Sequence, residues 1–277
     1  HTHLMQALID AGANVNARDN EGLTVLLRAA IGNNLQIVEF IKKAGAKTET
    51  PGDALLYASA MGDGAAMRKL LDGGAAANQT LTAGRTPLMV AAGNGQTAEV
   101  RLLLDAGAAL NAVDDNGDTA LMYACRSKNR DTVLALIEAG ADVTIRAEGG
   151  MTALTYAATY FDDPPMIRLL LGNGADINSQ TDNYHYTALM AAASFGHVHT
   201  LKFLIALKAN VNIQHRDGMT ALIFAVQSGQ AESVASLLKA KAVSSVKDKQ
   251  GKTALDYAIA QGLTDIVNML KASNPVK

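Results

Sequence analysis

A three-residue pattern, a threonine, a small residue and then a leucine, returns along this chain at an almost constant interval. Seven copies begin with threonine and one begins with aspartate: Thr24, Asp53, Thr86, Thr119, Thr152, Thr187, Thr220 and Thr253. The intervals between them are 29, 33, 33, 33, 35, 33 and 33 residues. A period of this length predicts a stack of similar units that share one growing core. Such a chain presents a long surface and rarely builds a catalytic pocket.

Each unit has the pattern of two helices followed by a loop. In the unit that starts at Thr119, the threonine hydroxyl is placed to cap a first helix by accepting a backbone N–H bond. Leu121, Ala124 and Cys125 then follow at helical spacing. A second helix runs towards Gly140, which can end it in a left-handed conformation. Neither helix buries its apolar face alone, so each unit needs its neighbours.

These units resemble the ankyrin repeat. The resemblance rests on Gly84-Arg-Thr-Pro-Leu-Met-Val-Ala-Ala, on Gly117-Asp-Thr-Ala-Leu and on the helix exits Ala139-Gly-Ala-Asp-Val and Asn173-Gly-Ala-Asp-Ile-Asn. It covers essentially the whole chain. It implies an all-α solenoid, a curved stack of L-shaped repeats with short β-hairpin fingers between each second helix and the next first helix. The fingers and first helices would line a concave face.

The methionine that follows the leucine at Met89, Met122 and Met190 gives a Thr-Ala-Leu-Met variant, which we associate with bacterial members of the family.

The pattern predicts a single domain over residues 1–277. Residues 1–16 match only a second helix, a half repeat, and about eight repeats follow. Their first helices are expected to start near residues 24, 53, 86, 119, 152, 187, 220 and 253, and residues 253–277 resemble a capping repeat. Asp53 is expected to cap its helix, and the finger before it is short, with seven residues between Gly45 and Asp53.

The 35-residue interval coincides with a cluster of aromatic residues. Seven of the twelve aromatics lie between Tyr156 and Phe203. One extra residue falls in the turn 160–165 and another in the finger 178–186. Tyr156 and Phe203 occupy core positions, whereas the other rings do not. The predicted partner-binding patch consists of Met151, Tyr160, Phe161, Tyr184, Tyr186, Phe195 and Met219. The alternative is that the longer turn packs these rings on itself.

Little in the sequence points to catalysis, metals or nucleic acid. The net charge is −2 and like charges are not clustered, which disfavours a nucleic-acid partner. The histidines His185, His197, His199 and His215 lack the further ligands of a metal site. Cys125, the single cysteine, lies in an apolar stripe. The pairs Asp114-Asp115 and Asp162-Asp163 fall in turns, which we expect to be exposed and so unsuited to acid–base work.

We therefore expect a non-enzymatic scaffold, without cofactor or metal, that binds another protein through its concave face and finger tips around residues 151–219. It is expected to be a monomer without a membrane span. One alternative is a recognition module of a larger effector or enzyme, and a lesser one is small-molecule or lipid binding at the aromatic patch. A cytoplasmic, periplasmic or secreted location stays open, because a segment could precede His1.

Overall fold

Seventeen α-helices occupy the residues that the computed structural model describes, which are 2–20, 22–80 and 83–273. The chain divides into two compact units, His1–Asp142 and Val143–Lys277, here called the N-terminal and C-terminal units. Each unit is an all-α solenoid, as predicted.

In the N-terminal unit, the first helix of each full repeat packs on the first helix of the next full repeat. The second helices of the last three full repeats also pack on one another in chain order. Each first helix also packs on its own second helix. The helices are α1 (Thr2–Asp10), α2 (Val25–Ile31), α3 (Leu35–Lys43), α4 (Pro51–Met61), α5 (Gly64–Asp72), α6 (Pro87–Gly93), α7 (Thr97–Asp105), α8 (Ala120–Ser127) and α9 (Arg130–Glu138).

The C-terminal unit repeats this arrangement in two layers, with α10, α12, α14 and α16 in one and α11, α13, α15 and α17 in the other. Its helices are α10 (Ala153–Tyr160), α11 (Pro164–Gly172), α12 (Ala188–Phe195), α13 (Val198–Ala206), α14 (Ala221–Gln227), α15 (Ala231–Lys239), α16 (Ala254–Ala260) and α17 (Thr264–Ser273). The last four residues of the predicted capping repeat lie outside the described residues.

Threonine caps begin most of the first helices. Thr119 Oγ1 accepts a bond from the backbone N–H of Met122 at 3.3 Å, and Thr24, Thr86, Thr152, Thr187 and Thr253 cap in the same way. Thr220 is an exception, since its side chain makes no cap bond. Buried small and aliphatic side chains such as Leu121 and Cys125 then fill the space between helices.

The expectation that Asp53 caps a helix is wrong. Helix α4 begins at Pro51, and Thr50 is its cap. Asp53 is the third helical residue, where its carboxylate accepts from the backbone N–H of Thr50 at 3.3 Å in a capping box. From that position the carboxylate also forms an ion pair with Arg18.

The β-hairpin form of the fingers is also a wrong expectation, because the described residues contain no β-strand beyond two isolated bridges, Arg18 with Thr24 and Val113 with Thr119. Six of the fingers are instead tight turns closed by a backbone bond, such as Asp114 N–H to the carbonyl of Asp118 at 3.1 Å. A left-handed residue, Gly117 with φ 75°, reverses the chain in this turn, and the pairing beside it stops at the single bridge of Val113 with Thr119.

No helix within the described ranges combines the length and apolar character that a bilayer-crossing segment needs.

Candidate interaction surface

All seven predicted patch residues lie in the C-terminal unit, at the ends of first helices or in fingers. Two are exposed, Tyr184 at 56% in a finger and Phe195 at 58% as the last residue of α12. The other five are half-buried: Met151, Tyr160, Phe161, Tyr186 and Met219.

Tyr184 and Tyr186 belong to a group of four rings, here called the ring cluster, with His215 and Phe224. The Tyr184 ring stacks on His215 with centroids 5.7 Å apart and an interplanar angle of 10°. Tyr186 meets His215 edge-on at 6.1 Å and Phe224 edge-on at 5.5 Å. His215 and Phe224 are themselves edge-on at 5.7 Å. These are the favoured geometries for aromatic pairs, so the cluster holds Tyr184 in place from one side.

Burial determines the charge state within the ring cluster. It lowers the pKa of His215, an effect that nearby His185 reinforces and the carboxylate of Asp217 opposes. His215 Nδ1 accepts a bond from the backbone N–H of Asp217 at 3.1 Å, which requires that nitrogen to be unprotonated. Burial also raises the pKa of Tyr186, although its hydrogen bond with Ser194 acts in the opposite direction. The cluster is therefore a neutral, largely apolar support.

The sequence analysis did not predict that His215 and Phe224 take part. Their positions relative to the first-helix threonine could have indicated this role. His215 lies five residues before Thr220, and Phe224 lies four residues after it. In other repeats these two positions hold an aspartate and a tyrosine joined by a hydrogen bond, from Tyr123 to Asp114 at 2.7 Å and from Tyr257 to Asp248 at 2.5 Å.

Phe195 lies apart from the ring cluster. Its ring is 6.3 Å from that of His197, at an angle of 31°. His197 Nδ1 lies 2.9 Å from the carbonyl oxygen of Ala158 in the preceding first helix. Thus Phe195 stands beside an imidazole that is fixed to the scaffold while most of its own ring remains in solvent.

Tyr160 and Phe161 begin the lengthened turn between α10 and α11. Helix α11 starts twelve residues after Thr152, whereas α13 starts eleven residues after Thr187. The turn is tied to α13, because Asp162 Oδ1 accepts from the backbone N–H of Thr200 at 2.7 Å. Within the described residues, no ring contact joins Tyr160, Phe161 or Phe195 to the ring cluster.

Met151 and Met219 lie directly before Thr152 and Thr220, and their backbone carbonyls close the turns of their fingers. The Met151 carbonyl accepts from the backbone N–H of Ala147 at 2.8 Å, and the Met219 carbonyl accepts from that of His215 at 2.7 Å. Both side chains are half-buried. The structure therefore joins Met219 to the ring cluster through the backbone.

The buried polar groups serve the scaffold. Asp114 is only 4% exposed, contrary to the expectation that it lies in an exposed turn. Its carboxylate accepts from the backbone N–H groups of Asn116 and Asp118, both at 2.9 Å, as well as from Tyr123. Burial raises the pKa of the Cys125 thiol to about 12, which leaves it protonated and unreactive.

The histidines and carboxylates do not gather at one point. In the described part of the chain, no three His, Cys, Asp or Glu side chains form a group that could hold a metal ion. His199 instead contacts Asp162, with Nδ1 2.7 Å from the carboxylate.

Comparisons with known proteins agree with this architecture. A family profile described as ankyrin repeats (3 copies) matches residues 55–147, 145–215 and 189–276, and one described as ankyrin repeats (many copies) matches residues 1–41. The crystal structure of the human ASB11 ankyrin repeat domain is similar to this chain, with a TM-score of 0.71 and 26% identity over 80% of this chain and 98% of that chain. The comparison with curated proteins gives no match. The bacterial association of the Thr-Ala-Leu-Met variant stays a prediction.

Proposed function

The chain belongs to the ankyrin repeat family, whose repeats are protein–protein interaction modules, and on that premise we propose that it binds a partner protein around residues 151–219. The contact surface consists of the first-helix ends and fingers of the C-terminal unit. Recognition by shape and apolar contact is its role, without catalysis.

The observation that carries this proposal is the exposure of two large rings on a fixed frame. Tyr184 and Phe195 are each more than half exposed. Aromatic side chains of this kind contribute strongly to binding when a partner covers them. Because the ring cluster and the His197 contact already restrain them, little side-chain entropy is lost on binding.

The other five patch residues have supporting parts in the proposal. Tyr186 and Met219 belong to, or directly adjoin, the ring cluster that positions Tyr184. Tyr160 and Phe161 present half-buried apolar surface at the end of α10, and Met151 does so in the finger before it. A partner would cover these less exposed groups at the margin of the contact.

The proposal is tested by capturing partners from native lysate with the immobilised protein and comparing variants. Tyr184→Ser together with Phe195→Ser should reduce the captured partner by about tenfold or more, as expected for loss of two central aromatic contacts. The control is Leu207→Ser, which removes a 41% exposed apolar side chain next to the second helix α13. Equal capture by the folded double variant and the wild type would contradict the proposal.

A further inference from the structure

The tips of the last three fingers form an open cleft beside Tyr184. It is lined chiefly by His185 from one finger, by Gln214, His215 and Arg216 from the next, and by Lys247 and Lys249 from the last. Three of these side chains are permanent cations and two are imidazoles.

The positive charge of this cleft is compensated only in part by the described residues. The carboxylate of Asp256, whose pKa is lowered chiefly by its hydrogen bonds from Thr253, also feels the charge of Lys247. Arg216, Lys247 and Lys249 form no ion pair there, in contrast to Arg18 or Lys202 elsewhere. The nearest lining carboxylate, Asp248, is 5% exposed. It is fully engaged, since it accepts from the backbone N–H groups of Gln250 and Lys252 and from the Tyr257 hydroxyl.

Two further carboxylates lie near the cleft but do not line it. Asp217 lies 3.5 Å from His215 Nδ1 and does not line the cleft. Asp256 accepts from the backbone N–H of Thr253 at 2.7 Å in its own capping box. No carboxylate of the described residues forms an ion pair with Arg216, Lys247 or Lys249, so these cations remain available to a ligand.

The backbone fixes the spacing of these cations. The N–H of Arg216 donates to the Tyr184 carbonyl at 2.7 Å, and the N–H of Lys249 donates to the Asp217 carbonyl at 2.8 Å. Gly218 permits this close approach, because a Cβ there would lie 2.9 Å from Asp248 Cα. The three finger tips thus act as one frame.

The backbone conformation of His185 is a second feature that distinguishes this cleft. It has φ 54° at the position, two residues before the threonine, where neighbouring fingers carry Gly150 and Gly218. This left-handed conformation is unfavourable for a residue with a Cβ. Here that conformation places an imidazole at the rim of the cleft.

The last finger is the most basic of the chain, with lysines at 247, 249 and 252. The finger before Thr119 reads Asp114-Asp-Asn-Gly-Asp, whereas the last finger reads Lys247-Asp-Lys-Gln-Gly-Lys. The concentration of lysines therefore distinguishes the last finger, although single arginines also occur in other fingers, at Arg18, Arg85 and Arg146.

We infer that this cleft binds an acidic segment of the partner protein, whose carboxylates meet Arg216, Lys247 and Lys249 while an adjoining apolar residue covers Tyr184. The inference rests on the proposed function and specifies the chemistry of the partner. Charge complementarity of this kind steers association and fixes register.

The test measures the fluorescence anisotropy of a labelled polyglutamate peptide titrated with the whole protein at low ionic strength. The wild type should bind it, and added salt should weaken binding. Arg216→Glu with Lys249→Glu should weaken it by at least about tenfold. The control, Lys239→Glu with Lys271→Glu, makes the same change in net charge on exposed second-helix positions and should bind like the wild type.

Three outcomes would overturn the inference. These are no peptide binding by the wild type, equal loss in both double variants, and equally tight binding of inorganic phosphate or a single-stranded DNA oligonucleotide. If charge reversal unfolds the protein, Arg216→Gln with Lys249→Gln is measured instead and should weaken binding in the same direction. A failure here, with capture still dependent on Tyr184 and Phe195, would leave the proposed function standing.

Discussion

At the scale of single residues, the recurring threonine has one structural task, which is to cap a first helix. The sequence predicted this correctly at six of the seven threonines, because a cap depends on neighbours three residues away. It failed at Asp53, where Thr50 lies outside the repeating pattern and competes for the cap. It also failed at Thr220, whose buried Oγ1 has no hydrogen-bond partner in the described residues.

This difference between threonines predicts two opposite results for the same substitution. Thr119→Val should lower the free energy of unfolding by about 1 kcal/mol, because the N–H of Met122 loses its acceptor. Thr220→Val should leave stability unchanged or raise it slightly, because it removes a buried hydroxyl that has no partner. Urea denaturation of both variants checks this, and equal destabilisation would contradict the two assignments.

At the scale of elements, the lengthened turn after α10 connects one repeat to the next. Asp162 caps α13 from the preceding repeat, and Asp163 caps its own α11 by accepting from the N–H of Met166 at 3.3 Å. His197, the residue at the start of α13, offers no side-chain cap bond. The extra residue in the turn therefore allows the carboxylate of Asp162 to cap α13.

The sequence predicted that this turn gains one residue. It did not predict that the longer turn lets Asp162 cap α13. Helix length, caps and the repeat period follow from local spacing and could be read directly. The bond from Thr200 to Asp162, like the contact of His215 with Tyr184, joins residues more than thirty positions apart. Such contacts depend on how repeats stack. The strand form of the fingers, implied by the family resemblance, failed because the described finger turns are flanked by at most one isolated bridge each.

The cap from Asp162 predicts a pH-dependent contribution to stability. Burial alone would raise the pKa of Asp162, but bonds from the His199 side chain and from backbone N–H groups outweigh it and lower the pKa. The folded protein therefore holds the proton less tightly than the unfolded chain, whose aspartates titrate near a pKa of about 3.9. The stabilisation is present above that pH and is lost as the pH falls through the lower pKa of the folded state.

Accordingly, Asp162→Ala should lower the free energy of unfolding by about 1 kcal/mol at pH 7. The difference from the wild type should shrink as the pH falls below about 4. Asp105→Ala, at the exposed C-terminal end of α7, is the control and should have little effect at either pH. A difference for Asp162→Ala that stays constant from pH 7 to about 3 would show that the carboxylate charge is not involved.

At the scale of the whole molecule, regular hydrogen bonds between repeats stabilise each solenoid unit, and the side chains proposed to bind a partner lie on the surface of the C-terminal unit. Asparagine side chains at the helix exits accept from the next exit, for example Asn78 from the N–H of Ala109 at 2.6 Å and Asn178 from that of Asn210 at 2.8 Å. Backbone bonds link neighbouring finger tips in parallel. These ties give the rigidity that lets a few exposed side chains bind without large ordering costs.

Photocrosslinking tests the central claim, that the C-terminal unit binds a partner protein through the surface around Phe195, most directly. A benzoylphenylalanine in place of Phe195 is compared with the same residue in place of Leu207, in native lysate. We predict a discrete crosslinked partner from position 195 that is absent from position 207. A partner crosslinked only from position 207, or no crosslink from position 195 in the folded protein, would contradict the claim.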